Sequence, residues 1–126
     1  MNVLIDSDIL IEVTRGRAMN LLEKWTAMGE SEAVLLCSPV TVAELWHGAL
    51  PREHKMLDDL FTGLLCVPID QEIGRLAGGY LRQYAASHGV ELGDALIAAS
   101  AVVHKAVLWT RNLKHYPMKP LEFLVD

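Results

Sequence analysis

The sequence is short of the features that send a protein out of a cell or into a membrane. Only two cysteines occur in 126 residues. Each lies alone in an apolar run, Val34-Leu35-Leu36-Cys37 and Leu64-Leu65-Cys66-Val67. With no Cys or His at ligand spacing they match no zinc pattern, and two buried free thiols are expected rather than a disulfide. No stretch reaches the roughly 18–20 uninterrupted apolar residues of a membrane span. The start lacks the basic region of a signal peptide, and Asp6 interrupts its first apolar run. A cytoplasmic protein without membrane attachment is expected. Aromatic residues make up only 6% of the chain, so Val, Leu, Ile and Ala must fill most of the core. Basic excess is missing too. A formal net charge of −5 does not advertise a nucleic-acid partner, although a local basic rim or a bound divalent cation can reverse the field around a site. There is no Ser/His/Asp hydrolase signature, Gly-rich phosphate loop or Rossmann fingerprint.

What is present is enough apolar residue, 52%, for one core of ordinary size, and a single domain over residues 1–126 is expected. Val3, Leu4 and Ile5 follow one another without alternation, as in a strand covered on both faces. That run stops at Asp6, where an open α/β sheet places functional groups beyond a strand's carboxyl end. Asp8 is a candidate cap for a short helix through Val13, broken at Arg15-Gly16-Arg17. Leu21, Leu22, Trp25 and Met28 mark a second helix. Val34 to Cys37 reads as a second buried strand, and Ser38-Pro39 as a helix start. Val40, Ala43, Glu44 and His47 share one stripe of that helix. After a more polar helix comes a third strand, Leu65 to Ile69, with Pro68 suiting an outer position. Asp70 can cap a long helix that Gly89 ends. Gly78-Gly79 inside it cost about 1 kcal/mol each relative to Ala, which predicts close packing or a kink. Residues 95–103 are apolar almost all round and predict a buried helix. Val107 to Thr110 is a fourth strand and Leu121 to Val125 a short last one. The alternation implies a three-layer α/β/α sandwich with a mainly parallel sheet of four to five strands.

Three carboxylates stand where core and capping logic is incomplete. Asp6 ends a buried strand, Glu44 lies on a mostly apolar helix, and Asp94 opens a buried one. Each alone has a plain reading: a turn, a solvated edge, a cap. In a doubly wound sheet, however, their positions share one rim. Carboxylates gathered in a cleft repel, and a hard divalent cation removes that cost. Oxygen ligands suit Mg²⁺ or Mn²⁺ rather than zinc. Such an ion can activate water and stabilise charge on a phosphoryl oxygen.

Four stretches together resemble a known family. They are Asp6-Ser7 after the apolar strand, Thr41-Val42-Ala43-Glu44-Leu45, Gly93-Asp94 through Ala101, and Thr110-Arg111-Asn112-Leu113-Lys114-His115-Tyr116. They look like the motifs of PIN-domain ribonucleases, most closely the VapC-type toxins of prokaryotic toxin–antitoxin pairs, over essentially the whole chain. The resemblance implies an endoribonuclease in which Asp6, Glu44 and Asp94 are catalytic and bind Mg²⁺ or Mn²⁺, with Ser7 supporting the site. It also implies a VapB-like antitoxin partner, an RNA substrate and a homodimer. Family members often carry a further acid in the last motif. Here Asn112 and His115 occupy those positions; Asn112 can ligate through its amide oxygen but brings no charge. Arg111 and Lys114 flank it and are candidate RNA-phosphate contacts.

Two other readings compete. Asp6-Ser7-Asp8 matches the strand-end DxD of haloacid-dehalogenase phosphatases, with Asp6 as nucleophile. A PIN-like RNA-binding module that lost turnover with its last acid is the other.

Overall fold

Four short parallel strands form the middle of the molecule, described over residues 1–124 of a computed structural model. In chain order the elements are β1 (Asn2–Ile5), α1 (Ser7–Arg15), α2 (Met19–Glu30), β2 (Val34–Cys37), α3 (Pro39–His47) and α4 (His54–Thr62). There follow β3 (Leu65–Cys66), α5 (Gln71–His88), α6 (Leu92–Val103) and β4 (Ala106–Trp109). The sheet runs β3-β2-β1-β4, so the first strand is interior, paired with β2 on one side and β4 on the other. Its central residues Val3, Leu4 and Ile5 are completely buried.

Side-chain alternation splits that burial between two cores. Leu4, Leu36 and Leu108 point to a layer made by α5 and α6, where Ile73, Ala77, Ala95, Ala98 and Ala99 are buried. Val3, Ile5, Cys37 and Trp109 point the other way, onto Ile9 and Leu10 of α1, Leu21 of α2, Leu45 of α3 and Leu57 of α4. The result is the expected α/β/α sandwich. The alanines of α6 let it lie close along the sheet, where larger side chains would hold it off. Among the described residues no helix is long and apolar enough to cross a membrane.

Several caps fall where the sequence places them. Ser38 is fully buried and its Oγ accepts from the Val40 N–H at 3.1 Å. Asp70 Oδ1 accepts from the Ile73 N–H at 3.0 Å. Gly89 closes α5 in the left-handed region, φ 65°.

Other expectations are corrected. α1 is capped by Asp6, whose carboxylate accepts from the Ser7 N–H, and not by Asp8, which sits inside the first turn. The third strand stops at Cys66 instead of Ile69 because Pro68 has no N–H to donate; the Val67 N–H to Cys37 carbonyl bond, 2.9 Å, is the last rung. The expected final strand contracts to a bridge between Leu108 and Phe123, held by Leu108 N–H to Glu122 O and Leu124 N–H to Leu108 O. Val125 lies outside the described residues. Cys37 is buried but Cys66, its in-register neighbour on β3, is exposed. Burial, with the adjoining Cys66, pushes the Cys37 thiol up to about 12.

Gly78 and Gly79 answer to neither close packing nor a break. α5 runs through them from Gln71 to His88, and a Cβ at either would meet nothing within 4 Å. Their only energetic effect is then the backbone freedom they give the unfolded chain. Gly78→Ala and Gly79→Ala should each stabilise the fold by about 0.5–1 kcal/mol in urea denaturation; a loss of stability in either variant would show that the space beside α5 is needed.

Candidate active site

β1 and β4 are the neighbours between which the strand order reverses, the position where open α/β sheets leave a crevice beyond the strand ends. A cleft of about 290 Å³ lies there, lined by Asp6, Ser7, Glu44, Glu91, Gly93, Asp94, Asn112, His115 and Tyr116, among others. The three acids reach it from three elements. Asp6 stands between the end of β1 and the start of α1, Glu44 lies in α3, and Asp94 lies in the first turn of α6. The approach of α3 to α6 is helped by Gly93, where a Cβ would stand 3.4 Å from Val40 Cγ1.

Asp6 is 4% exposed and is gripped from three sides. Its N–H continues the ladder to the Trp109 carbonyl at 3.0 Å. Oδ1 accepts from the Ser7 N–H at 2.8 Å. Oδ2 accepts from the Thr110 hydroxyl and from the Tyr116 phenol, both at 2.9 Å. Thr110 Oγ1 in turn accepts from the Asn112 N–H at 3.0 Å. Burial, and then the nearby charge of Asp6, push the Tyr116 hydroxyl well above the ordinary tyrosine range, so it stays an O–H donor.

Asp94 is held differently. Oδ2 accepts from the Glu91 N–H at 3.1 Å, closing the first turn of α6, while Oδ1 faces His115 Nδ1 at 3.7 Å. Glu91, not Asp94, is the residue at the cap position. Glu44 keeps an exposed edge, yet partial desolvation pushes its carboxyl up from 4.5, and the charges of Asp6 and Asp94 push the same way. The Ser7 hydroxyl pulls it back down. These influences place Glu44 within electrostatic reach of both other acids.

Asn112 and Ser7 line the cleft; Arg111 and Lys114 do not. Both basic residues are exposed, and Arg111 borders a separate depression with Asn20, Lys24 and Thr110. Asp8 is also absent from the lining. Its Oδ2 accepts from the Arg111 N–H at 2.8 Å and its Oδ1 from the Ile9 N–H at 2.9 Å, so it ties the end of β4 to α1. Burial raises its carboxyl above the usual range, partly offset by the Arg111 N–H. The phosphatase reading of Asp6-Ser7-Asp8 therefore loses its second acid to a structural role. Thr110, His115 and Tyr116 all lie in the last motif. The grip of Thr110 and Tyr116 on Asp6 follows from no spacing rule, because the partners are more than a hundred residues apart.

Among the described residues, no three His, Cys, Asp or Glu side chains converge closely enough to form a ready cage for an ion. The lining is nevertheless rich in oxygen donors, and its width leaves room for water. That donor set fits a hard cation that keeps part of its hydration, and it does not fit zinc.

A parallel α/β/α sandwich whose central strand delivers a buried carboxylate into an oxygen-lined cleft is a protein built around an acidic centre. The chain belongs to the PIN-domain family, whose model matches residues 3–118. Ribonuclease VapC10 of Mycobacterium tuberculosis is 36% identical over 117 residues, covering 92% of this chain and 86% of the relative. Ribonuclease VapC19 of the same organism is 35% identical over 120 residues, covering 93% and 94%. A toxin–antitoxin complex from Klebsiella pneumoniae contains a chain of similar structure, with TM-score 0.74, 26% identity and coverage of 94% and 92%.

The raised carboxyl of Glu44 has a measurable consequence. The fold favours its neutral form, a contribution fully present below about pH 4.5 and lost as pH rises through the raised value. Ionised Glu44 is thus a liability at neutral pH. In buffer containing a chelator, Glu44→Gln should melt at a higher temperature than the parent at pH 7, the gap closing toward pH 4. Equal melting temperatures at pH 7 would contradict the crowding of these acids.

Proposed function

We propose that this chain is a metal-dependent endoribonuclease and the toxin of a toxin–antitoxin pair, acting in the cytoplasm. The observation that carries the reading is the meeting of Asp6, Glu44 and Asp94, from three separate elements, at one cleft beyond the carboxyl ends of β1 and β4. Membership of the PIN family and identity to two ribonucleases support RNA as the substrate. Asp6, Asp94 and Glu44 would hold a single Mg²⁺ or Mn²⁺, with Asn112 contributing its amide oxygen and Ser7 steadying Glu44. When bound, that ion lowers the pKa of a water and neutralises charge on the phosphoryl group. The chain's own contribution is to hold the carboxylates at fixed places and to keep a cleft wide enough for a phosphodiester. The resemblance implies products with a 5′-phosphate and a 3′-hydroxyl. Arg111 and Lys114, exposed near the cleft, are suited to RNA phosphates outside it.

The partner is a VapB-like antitoxin, in line with the Klebsiella complex, and the chain forms a homodimer. A groove of about 230 Å³ between α1, α3 and α4 shares Glu44 with the cleft and is bordered by exposed Met56. A partner seated in it would cover the approach to Glu44. Asn112 in place of an acid favours a second reading, an RNA-binding module that has lost turnover.

Cleavage of RNA by purified chain freed of any partner separates these readings. Asp6→Asn and Asp94→Asn should each reduce the rate by on the order of 100-fold or more, and EDTA should abolish it. Cleavage that survives both substitutions would sink the assignment. Uptake of Mn²⁺ by the parent chain with no cleavage would establish the binding module instead.

A further inference from the structure

The hydroxyls around Asp6 restrict how that carboxylate can be used. A carboxylate oxygen offers about two lone-pair directions. At Oδ2 both are taken, by Thr110 and Tyr116 at 2.9 Å each. At Oδ1 the Ser7 N–H takes one, at 2.8 Å, and leaves the other unused in a residue that lines the cleft. The polarity of the grip is fixed. Thr110 Oγ1 already accepts from the Asn112 N–H, which turns its own hydrogen toward Asp6, and Tyr116 is a buried residue whose hydroxyl has Asp6 as its acceptor. To bind an ion with both oxygens, Asp6 would have to break these bonds and strand buried hydroxyls.

We propose that Tyr116, together with Thr110, makes Asp6 a one-oxygen ligand and so sets the cleft's preference for a small octahedral cation over a larger one. The proposal rests on the reading of the cleft as a metal-dependent centre. Its physical basis is the different demand of the ions. Ca²⁺ takes six to eight oxygens at about 2.3–2.6 Å and readily accepts both oxygens of a carboxylate, whereas Mg²⁺ holds single oxygens at about 2.0–2.1 Å and keeps its waters. Tyr116 and Thr110 are positioning residues, acting on the ion through Asp6.

Tyr116→Phe removes one hydroxyl and leaves the ring, opening a lone-pair direction on Oδ2. Mn²⁺ and Ca²⁺ are titrated calorimetrically into the full chain, its Tyr116→Phe and Thr110→Val variants, and Asp6→Asn, with RNA cleavage followed in parallel. The expected result is a fall of about tenfold in the Mn²⁺-over-Ca²⁺ affinity ratio in Tyr116→Phe, and a shift of the same sign in Thr110→Val. Should Tyr116→Phe fold poorly, Thr110→Val carries the same comparison. An unchanged ratio, with Mn²⁺ binding lost in Asp6→Asn, would overturn the restriction on Asp6 while leaving the metal centre standing. Wild-type Mn²⁺ binding by Asp6→Asn would remove the metal centre itself, and this proposal with it.

Discussion

A carboxylate at the end of a fully buried strand must be given donors, and this requirement organises much of the molecule. Asp6 cannot retreat to solvent without pulling β1 out of the sheet. Its oxygens are therefore met by the first N–H of α1, by Thr110 directly after β4 and by Tyr116 in the segment beyond. The same contacts cap a helix, fasten the last part of the chain to the first, and hold a buried acid at the edge of the cleft. Asp8 repeats the theme one step outward by accepting from the Arg111 N–H. The neighbourhood of β1 and β4 is thus bound by carboxylates as well as by the ladder between the strands.

The layers were legible because burial on both faces leaves an unmistakable trace. Val3-Leu4-Ile5 carries no alternation and is fully buried, and the Ala-rich helix at residues 95–103 is apolar almost all round; Val34 to Cys37 looks the same in sequence, yet Val34 is exposed and only Leu36 and Cys37 are buried. Helix ends were legible where a single residue decides them, as at Ser38, Asp70 and Gly89. The three acids could be singled out because each interrupts an apolar pattern, and the structure turns all three to one cleft. Cys66 misleads for the same reason: it sits in an apolar run, yet β3 is an edge strand of two residues that leaves it exposed.

The rest depends on which atoms meet across long stretches of chain. An Asp next to an apolar run is a candidate cap, but Asp6 and Asp8 compete for that task, and position alone does not say which bonds the Ser7 N–H and which the Arg111 N–H. Thr110 and Tyr116 read as ordinary strand-end and loop residues until β4 is laid beside β1. A glycine pair within a helix signals either contact or freedom, and only the surrounding space, open at Gly78 and Gly79, decides between them.

The grip on Asp6 also gives the protein a sense of time. A chain leaving the ribosome presents Asp6 first, at the end of a strand with neither of its neighbours, and the hydroxyls that fix the carboxylate arrive with the segment from Thr110 to Tyr116. Asp94 itself follows Asp6 by most of the sequence, so the acids and the hydroxyls that fix Asp6 come together only late. The acidic cleft is complete only once β4 and the segment after it have joined the sheet.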